Sequence, residues 1–129
     1  MQAFDNREAE AYRVEAKEKW GNTDAYRDHT RKTADYSEEK WNDLAQGMEQ
    51  ILAAFAACRE EAPEQTEAQK LVGQLQDYIT ANYYHCTKEI LAGLGQMYVA
   101  DERFRKNIDK HGDGTAAFIS RAIAAYCSR

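Results

Sequence analysis

The sequence predicts an all-α domain, and three observations carry that prediction. From residue 37 onward, apolar residues recur at three- and four-residue spacing, as on one face of a helix. No segment alternates apolar and polar residues as a half-buried strand would. One proline and seven glycines in 129 residues leave little room for a hairpin-rich β fold.

The first 36 residues set themselves apart. From the set Val, Ile, Leu, Phe and Met they contain Met1, Phe4 and Val14, while 15 of the 36 are charged. Residues 44–99 draw 14 of their 56 residues from that set, so the core belongs there. Residues 7–20 are rich in Ala, Glu, Lys and Arg and favour a helix. A helix of that length is marginal in water on its own. Ordering costs roughly 1–2 kcal/mol per residue in backbone entropy, and so polar a segment offsets that only by docking its aromatics. In KWGNTDAY, Trp20 and Tyr26 flank a small turn, and Tyr36 and Trp41 follow closely. Trp20, Tyr26 and Tyr36 are therefore either anchors on a preformed core or one wall of a binding cleft. The expected organisation is a polar helical lid over residues 1–36, ordered on ligand binding, and a helical core over 37–129.

The core helices follow in order. Ser37 caps a helix carrying Trp41, Leu44, Met48, Ile51, Leu52 and Phe55, with Glu38 and Glu39 at its positive end. That helix stops near Pro63, because the residue before a proline avoids helical geometry. Thr66-Glu67-Ala68-Gln69 has the capping-box pattern and leads into Leu71, Val72, Leu75, Tyr78 and Ile79. After Thr87 come Ile90, Leu91, Leu94, Met97 and Tyr98 on one face. Asp101 caps a short helix with Phe104 and Ile108. His111-Gly112-Asp113-Gly114 breaks the pattern, and Thr115 caps a last helix with Phe118, Ile119, Ala122, Ile123 and Tyr126 on its buried side.

Composition bounds the function. Hydrophobic residues are 43% and charged residues 30%, as in soluble globular domains. No stretch approaches the roughly 20 apolar residues of a membrane span, and no basic-then-apolar leader opens the chain. A cytoplasmic protein without membrane partners is expected. The net charge of −5 sits in residues 1–62, which hold 14 acidic and 9 basic side chains, while 63–129 hold 8 of each. Without a basic stripe, direct nucleic-acid contact by this chain is not expected. Cys58, Cys86 and Cys127 lack metal-ligand spacing and read as free thiols.

Tyr83-Tyr84-His85-Cys86 is the densest chemical cluster. A cysteine beside a helix start and a histidine fits a thiol nucleophile with a base. However, sequence neighbours often point apart, and no oxyanion motif is visible, so a packed or cleft-lining cysteine is the simpler reading. His29, His85 and His111 are scattered without HxxxH or ExxH spacing, which gives a metal site no support. His85 is the one candidate for a haem ligand, and a lone histidine is more often structural. No cofactor is expected.

KWGNTDAY, followed by Arg31, Thr33, Tyr36 and Trp41, resembles the start of the TipAS antibiotic-recognition domain. So do GLGQMYVADERFRKNID at 93–109 and GTAAFISRAIAAY at 114–126, in the same order and spacing. The resemblance runs from about residue 8 to the C-terminus. TipAS is the ligand-binding domain of MerR-type transcription regulators. The resemblance implies a globin-like helical fold without haem, with about seven helices. It also implies a cleft for bulky, partly hydrophobic antibiotics of the thiopeptide kind, and an N-terminal segment that closes over the drug. Regulators of this family carry a DNA-binding winged helix and a dimerising coiled coil ahead of this domain. Neither is seen here, so the chain is expected to be an effector domain, monomeric in isolation, or a free-standing antibiotic-sequestering protein. The family's drug-capturing cysteine aligns with Gly93, so covalent capture at that position is not expected and Cys86 does not inherit the role.

The expected function is thus a non-enzymatic drug receptor without catalytic or metal-binding residues. Its cleft is assigned to Trp20, Tyr26, Tyr36, Tyr83, Cys86, Ile90, Leu94, Met97 and Tyr98, which stack on the ligand or offer it apolar contact. The rival from another class is a small cysteine enzyme using Cys86 and His85.

Overall fold

The computed structural model describes residues 23–129, which form six helices and no strand. They are α1 (Asp24–Thr33), α2 (Glu38–Ala57), α3 (Thr66–Asn82), α4 (Lys88–Ala100), α5 (Glu102–Asp109) and α6 (Thr115–Cys127). The all-α class is as expected. The helix expected over 7–20, and Trp20 with it, lie outside the described residues.

Local chemistry explains the helix ends. Ser37, Thr87 and Asp101 accept backbone N–H groups of Lys40, Ile90 and Arg103, which satisfies donors that a first turn leaves unpaired. Two caps differ from expectation. Thr66 is already helical, and the Gln65 side chain before it accepts the Glu67 N–H at 2.8 Å. Thr115 is likewise inside α6, whose cap position is Gly114 in the left-handed region at φ 86°. Gly114 has no side chain to offer, so the Asp109 carboxylate accepts the Ala116 N–H at 2.8 Å instead. The helix α2 ends at Ala57, ahead of Pro63. The turn beyond it is held by the Arg59 guanidinium, which donates to the carbonyls of Ala56 and Asp113.

The C-terminal helix α6 runs through the middle and packs on α2, α3, α4 and α5. Its Phe118, Ile119 and Ile123 meet Phe55 of α2, Val72 and Leu75 of α3 and Leu91 of α4, all essentially inaccessible to solvent. Gly95 allows α4 to approach closely, since a Cβ there would lie 3.1 Å from the Ile123 side chain. Each such side chain contributes roughly 1.5–3 kcal/mol by leaving water.

α1 is held differently. It buries no residue. It starts at Asp24, capped by Thr23, so Tyr26 sits in a helix rather than beside a turn. Its side-chain hydrogen bonds to the body gather at the C-terminal end of α3. There the Lys32 ammonium donates to the Thr80 carbonyl at 2.9 Å, and the Tyr36 hydroxyl donates to the Asn82 carbonyl at 2.6 Å. Both carbonyls belong to the last turn of α3, which has no intrahelical donors for them, and the ammonium also complements the helix dipole. The Asp28 carboxylate completes the set by accepting the His85 N–H at 2.7 Å.

Candidate functional site

The place where α1, the first turn of α2 and the end of α3 converge is built from aromatic rings. Tyr83, immediately after α3, is the hub. The His29 ring stacks parallel to it, with 6.0 Å between centroids and 7° between planes. Trp41 lies 6.3 Å away and Tyr78 meets it edge-on at 6.4 Å. Tyr36 extends the run by an edge contact with Trp41 at 5.3 Å, and the Lys40 ammonium sits 5.4 Å above the Tyr36 ring. Tyr84 is also near His29, tilted to it with 6.2 Å between centroids.

Each ring is positioned by a local cause. Tyr83 is the first residue after the helical run, and its N–H donates back to Ile79 as a C-terminal closure. Tyr78 is pinned across α2 because its hydroxyl donates to the Leu44 carbonyl at 2.6 Å. That crossing needs Gly47, where a Cβ would come within 2.3 Å of the Tyr78 oxygen. Trp41 departs from expectation. Its spacing places it with Leu44 and Met48, but it lies one turn beyond the edge of the core and rests on Tyr36 and Tyr83. At 39% exposure it is the one large hydrophobic side chain among the described residues that is exposed rather than buried or half-buried.

The electrostatics favour neutral rings. Burial, with Tyr78 and Tyr36 adding to it, pushes the Tyr83 phenol up to about 12. Burial also pushes Tyr84 up to about 12. The hydroxyls therefore stay protonated and able to donate near neutral pH. Burial lowers the His29 pKa, and the Asp28 charge opposes that only in part, so the stacked imidazole favours its neutral form. Asp28 itself is held below the usual carboxylate range, first by the His85 N–H and then by Arg31 and Lys32.

The structure sorts the residues assigned from sequence into separate settings. Tyr36 and Tyr83 share the aromatic seam. Tyr26 is half-buried on α1. Cys86 and Tyr98 belong to the buried core, and Ile90, Leu94 and Met97 of α4 pack against that core while keeping partial exposure. His29, Trp41, Tyr78 and Tyr84 complete the seam and were not assigned to it. Adjacency to Tyr83 signals Tyr84, and a tryptophan in a helix's first turn signals Trp41. His29, in a charged segment 54 positions before Tyr83, gives no sequence signal.

Thiol chemistry finds a poor setting here. Cys86 is 2% exposed, and burial, with Cys127 adding to it, pushes its thiol up to about 11. A nucleophilic cysteine needs the opposite shift. The His85 side chain is exposed, and its backbone N–H is committed to Asp28. Among the described residues no group of three His, Cys, Asp or Glu could hold a metal ion, and no helix is long and apolar enough to cross a membrane.

Comparison with known proteins gives a consistent picture. The family profile of the TipAS antibiotic-recognition domain matches residues 12–126. The HTH-type transcriptional activator TipA of Streptomyces coelicolor is 36% identical over 132 residues, a match covering 100% of this chain and 52% of that protein. The HTH-type transcriptional activator mta of Bacillus subtilis is 37% identical over 97 residues, covering 75% of this chain and 38% of that protein. The chain thus spans about half the length, or less, of the curated relatives it matches. Among solved structures, TipAS of Streptomyces lividans in complex with nosiheptide, described as part of a thiopeptide antibiotic multidrug resistance system, superposes with a TM-score of 0.86. It is 37% identical, and the match covers 98% of this chain and 87% of that one.

Proposed function

The chain belongs to the TipAS antibiotic-recognition domain family, and from that premise we propose that it is the effector-binding domain of a MerR-type transcriptional regulator. Its ligands are bulky, partly hydrophobic peptide antibiotics of the thiopeptide class. They stack on the seam formed by Tyr36, Trp41, Tyr83 and His29. One observation carries this reading: the seam lies at the joint between an apolar core and a segment tied to it by three polar bonds. Polar bonds at a helix end exchange with water at little net cost, so Asp24–Tyr36 can shift to admit a ligand and reclose on it. Residues 1–36 act as the lid and 37–129 as the body.

The chain works without catalysis, and the buried, protonated Cys86 supports that view over a thiol enzyme. DNA contact falls to a separate domain of the regulator, which acts in the cytoplasm. Bound drug favours the closed arrangement, and that shift in population is the signal relayed to DNA.

Titration with nosiheptide, read by calorimetry and by tryptophan fluorescence, tests the reading. Saturable binding is expected, with about 2.7 kcal/mol of added stability at 100 times the dissociation constant. Absence of both heat and thermal shift up to the solubility limit of several thiopeptides would sink it.

A further inference from the structure

Between α2 and α3 runs an open surface groove of about 520 Å³. Its floor is low because the residues there are small: Ala54 lies beside Ile51 on α2 and Ala81 faces them from α3, while Gly47 is already covered by the Tyr78 ring. One wall is the Tyr78 ring, whose hydroxyl is already committed to the Leu44 carbonyl, so it offers the groove an apolar surface. The rim is polar, with Gln50 on one helix and Gln74 and Asp77 on the other.

The charge is one-sided. Asp77 lines the groove and no basic residue does. A second carboxylate, Asp43, is near enough to Tyr78 to add to the effect of burial in raising its pKa. Lys32 and Lys40, on the adjoining elements, are engaged with the Thr80 carbonyl and the Tyr36 ring. The groove is also continuous with the aromatic seam, since Tyr78 touches both and Asn82, at its end, holds the Tyr36 hydroxyl.

We propose that the groove between α2 and α3 binds a flat aromatic cation, its ring lying along Ile51, Ala54 and Ala81 beside the Tyr78 wall and its protonated amine at Asp77. The small floor residues admit a planar body, the rim amides accept and donate in its plane, and the lone carboxylate prefers positive charge to neutral. This goes beyond the antibiotic reading, because nothing in the seam asks for charge.

The test titrates the whole chain with 9-aminoacridine, a cation at neutral pH, and with acridine, its near-isosteric neutral parent, with no antibiotic present. The cation is expected to bind saturably and more tightly than the neutral ring. Asp77→Asn should weaken the cation roughly three- to fivefold, the range of a solvent-facing ion pair, and leave acridine unchanged. Ala81→Phe fills the groove from an exposed helix position and should weaken both by roughly tenfold or more. Gln50→Phe, from the opposite rim, serves the same purpose should Ala81→Phe lower the melting temperature. Trp41→Ala should leave the probe's affinity unchanged. An Asp77→Asn variant that keeps the full preference for the cation overturns the proposal, as do plugged variants that bind normally. Loss of the probe with Trp41→Ala would place it on the seam and overturn it too. A failure of thiopeptide binding bears on the seam alone.

Discussion

Gly47 and Tyr78 show how much one missing side chain can decide. The tyrosine crosses α2 and bonds to the Leu44 carbonyl because position 47 presents no Cβ. Gly47→Ala gains up to about 1 kcal/mol of helix propensity. It also drives a methyl group to 2.3 Å from the Tyr78 oxygen, so the ring must turn away and lose its hydrogen bond. Displacement and the lost bond cost roughly 2–4 kcal/mol together. Net destabilisation of roughly 1–3 kcal/mol in a urea melt is the expected result, with Tyr83 losing its edge-on neighbour. An unchanged or higher midpoint would mean that Tyr78 does not hold this position. Cys86 makes the second residue-level prediction. Its thiol is protonated in the fold up to about pH 11, whereas an unfolded cysteine ionises near 8.5. A raised folded-state pKa means stability fully present below the unfolded value and lost as pH climbs from about 8.5 through 11. Cys86→Ser should flatten that part of the stability profile. At neutral pH, intact mass after incubation with a dehydroalanine-bearing thiopeptide should show no adduct on Cys86. A stable adduct that disappears in Cys86→Ser would make the buried thiol a capture residue after all.

At the scale of the element, the helices were legible wherever the deciding interaction was local. Ser37, Thr87 and Asp101 cap their helices because a hydroxyl or carboxylate two or three residues from an unpaired N–H is enough. Thr66 and Thr115 misled for the same reason in reverse. A better acceptor intervened next door at Gln65 in one case and from seven residues away at Asp109 in the other. Periodicity also marked the apolar face of α2 but not where along the helix the core ends, so Trp41 read as buried. The lid was expected to be helical over residues 1–36, but the bounds of α1 were not legible, because it buries no residue that would set an apolar period. That absence is also its prediction. With no buried residue and three polar tethers, amides of Asp24–Thr33 should exchange much faster than those of Leu71–Ile79, whose helix carries the core. Adding ligand should slow exchange in α1 before anywhere else. Tyr36→Phe removes one tether and should speed α1 exchange by a factor matching about 1 kcal/mol, with the α3 interior unaffected. Protection of α1 equal to that of α3 in the free protein would make it part of the body and not of the lid.

For the whole molecule, stability and recognition occupy different ground. The core around Phe55, Leu75, Leu91, Phe118 and Ile123 is inaccessible to solvent, while the seam runs along one end of it and reaches water at Trp41. Sequence reasoning found the core because burial follows the apolar period. It found only part of the seam because ring contacts such as His29 with Tyr83 join elements far apart in the chain, and no period reports them. This separation makes the final prediction two-sided. Leu75→Ala should cost roughly 2–5 kcal/mol of stability, as removing a buried leucine does, and leave the ligand affinity of the folded protein nearly unchanged. Trp41→Ala should do the reverse. An exposed ring contributes little to the free fold, so the unfolding midpoint should move by less than about 1 kcal/mol. A ligand that covers the indole, however, should lose roughly 1–3 kcal/mol of affinity with it. Calorimetric titration and urea melts on both variants separate the cases. If Trp41→Ala destabilises the free protein as much as Leu75→Ala does, with affinity intact, the tryptophan anchors the fold and the seam is packing and not a receptor surface.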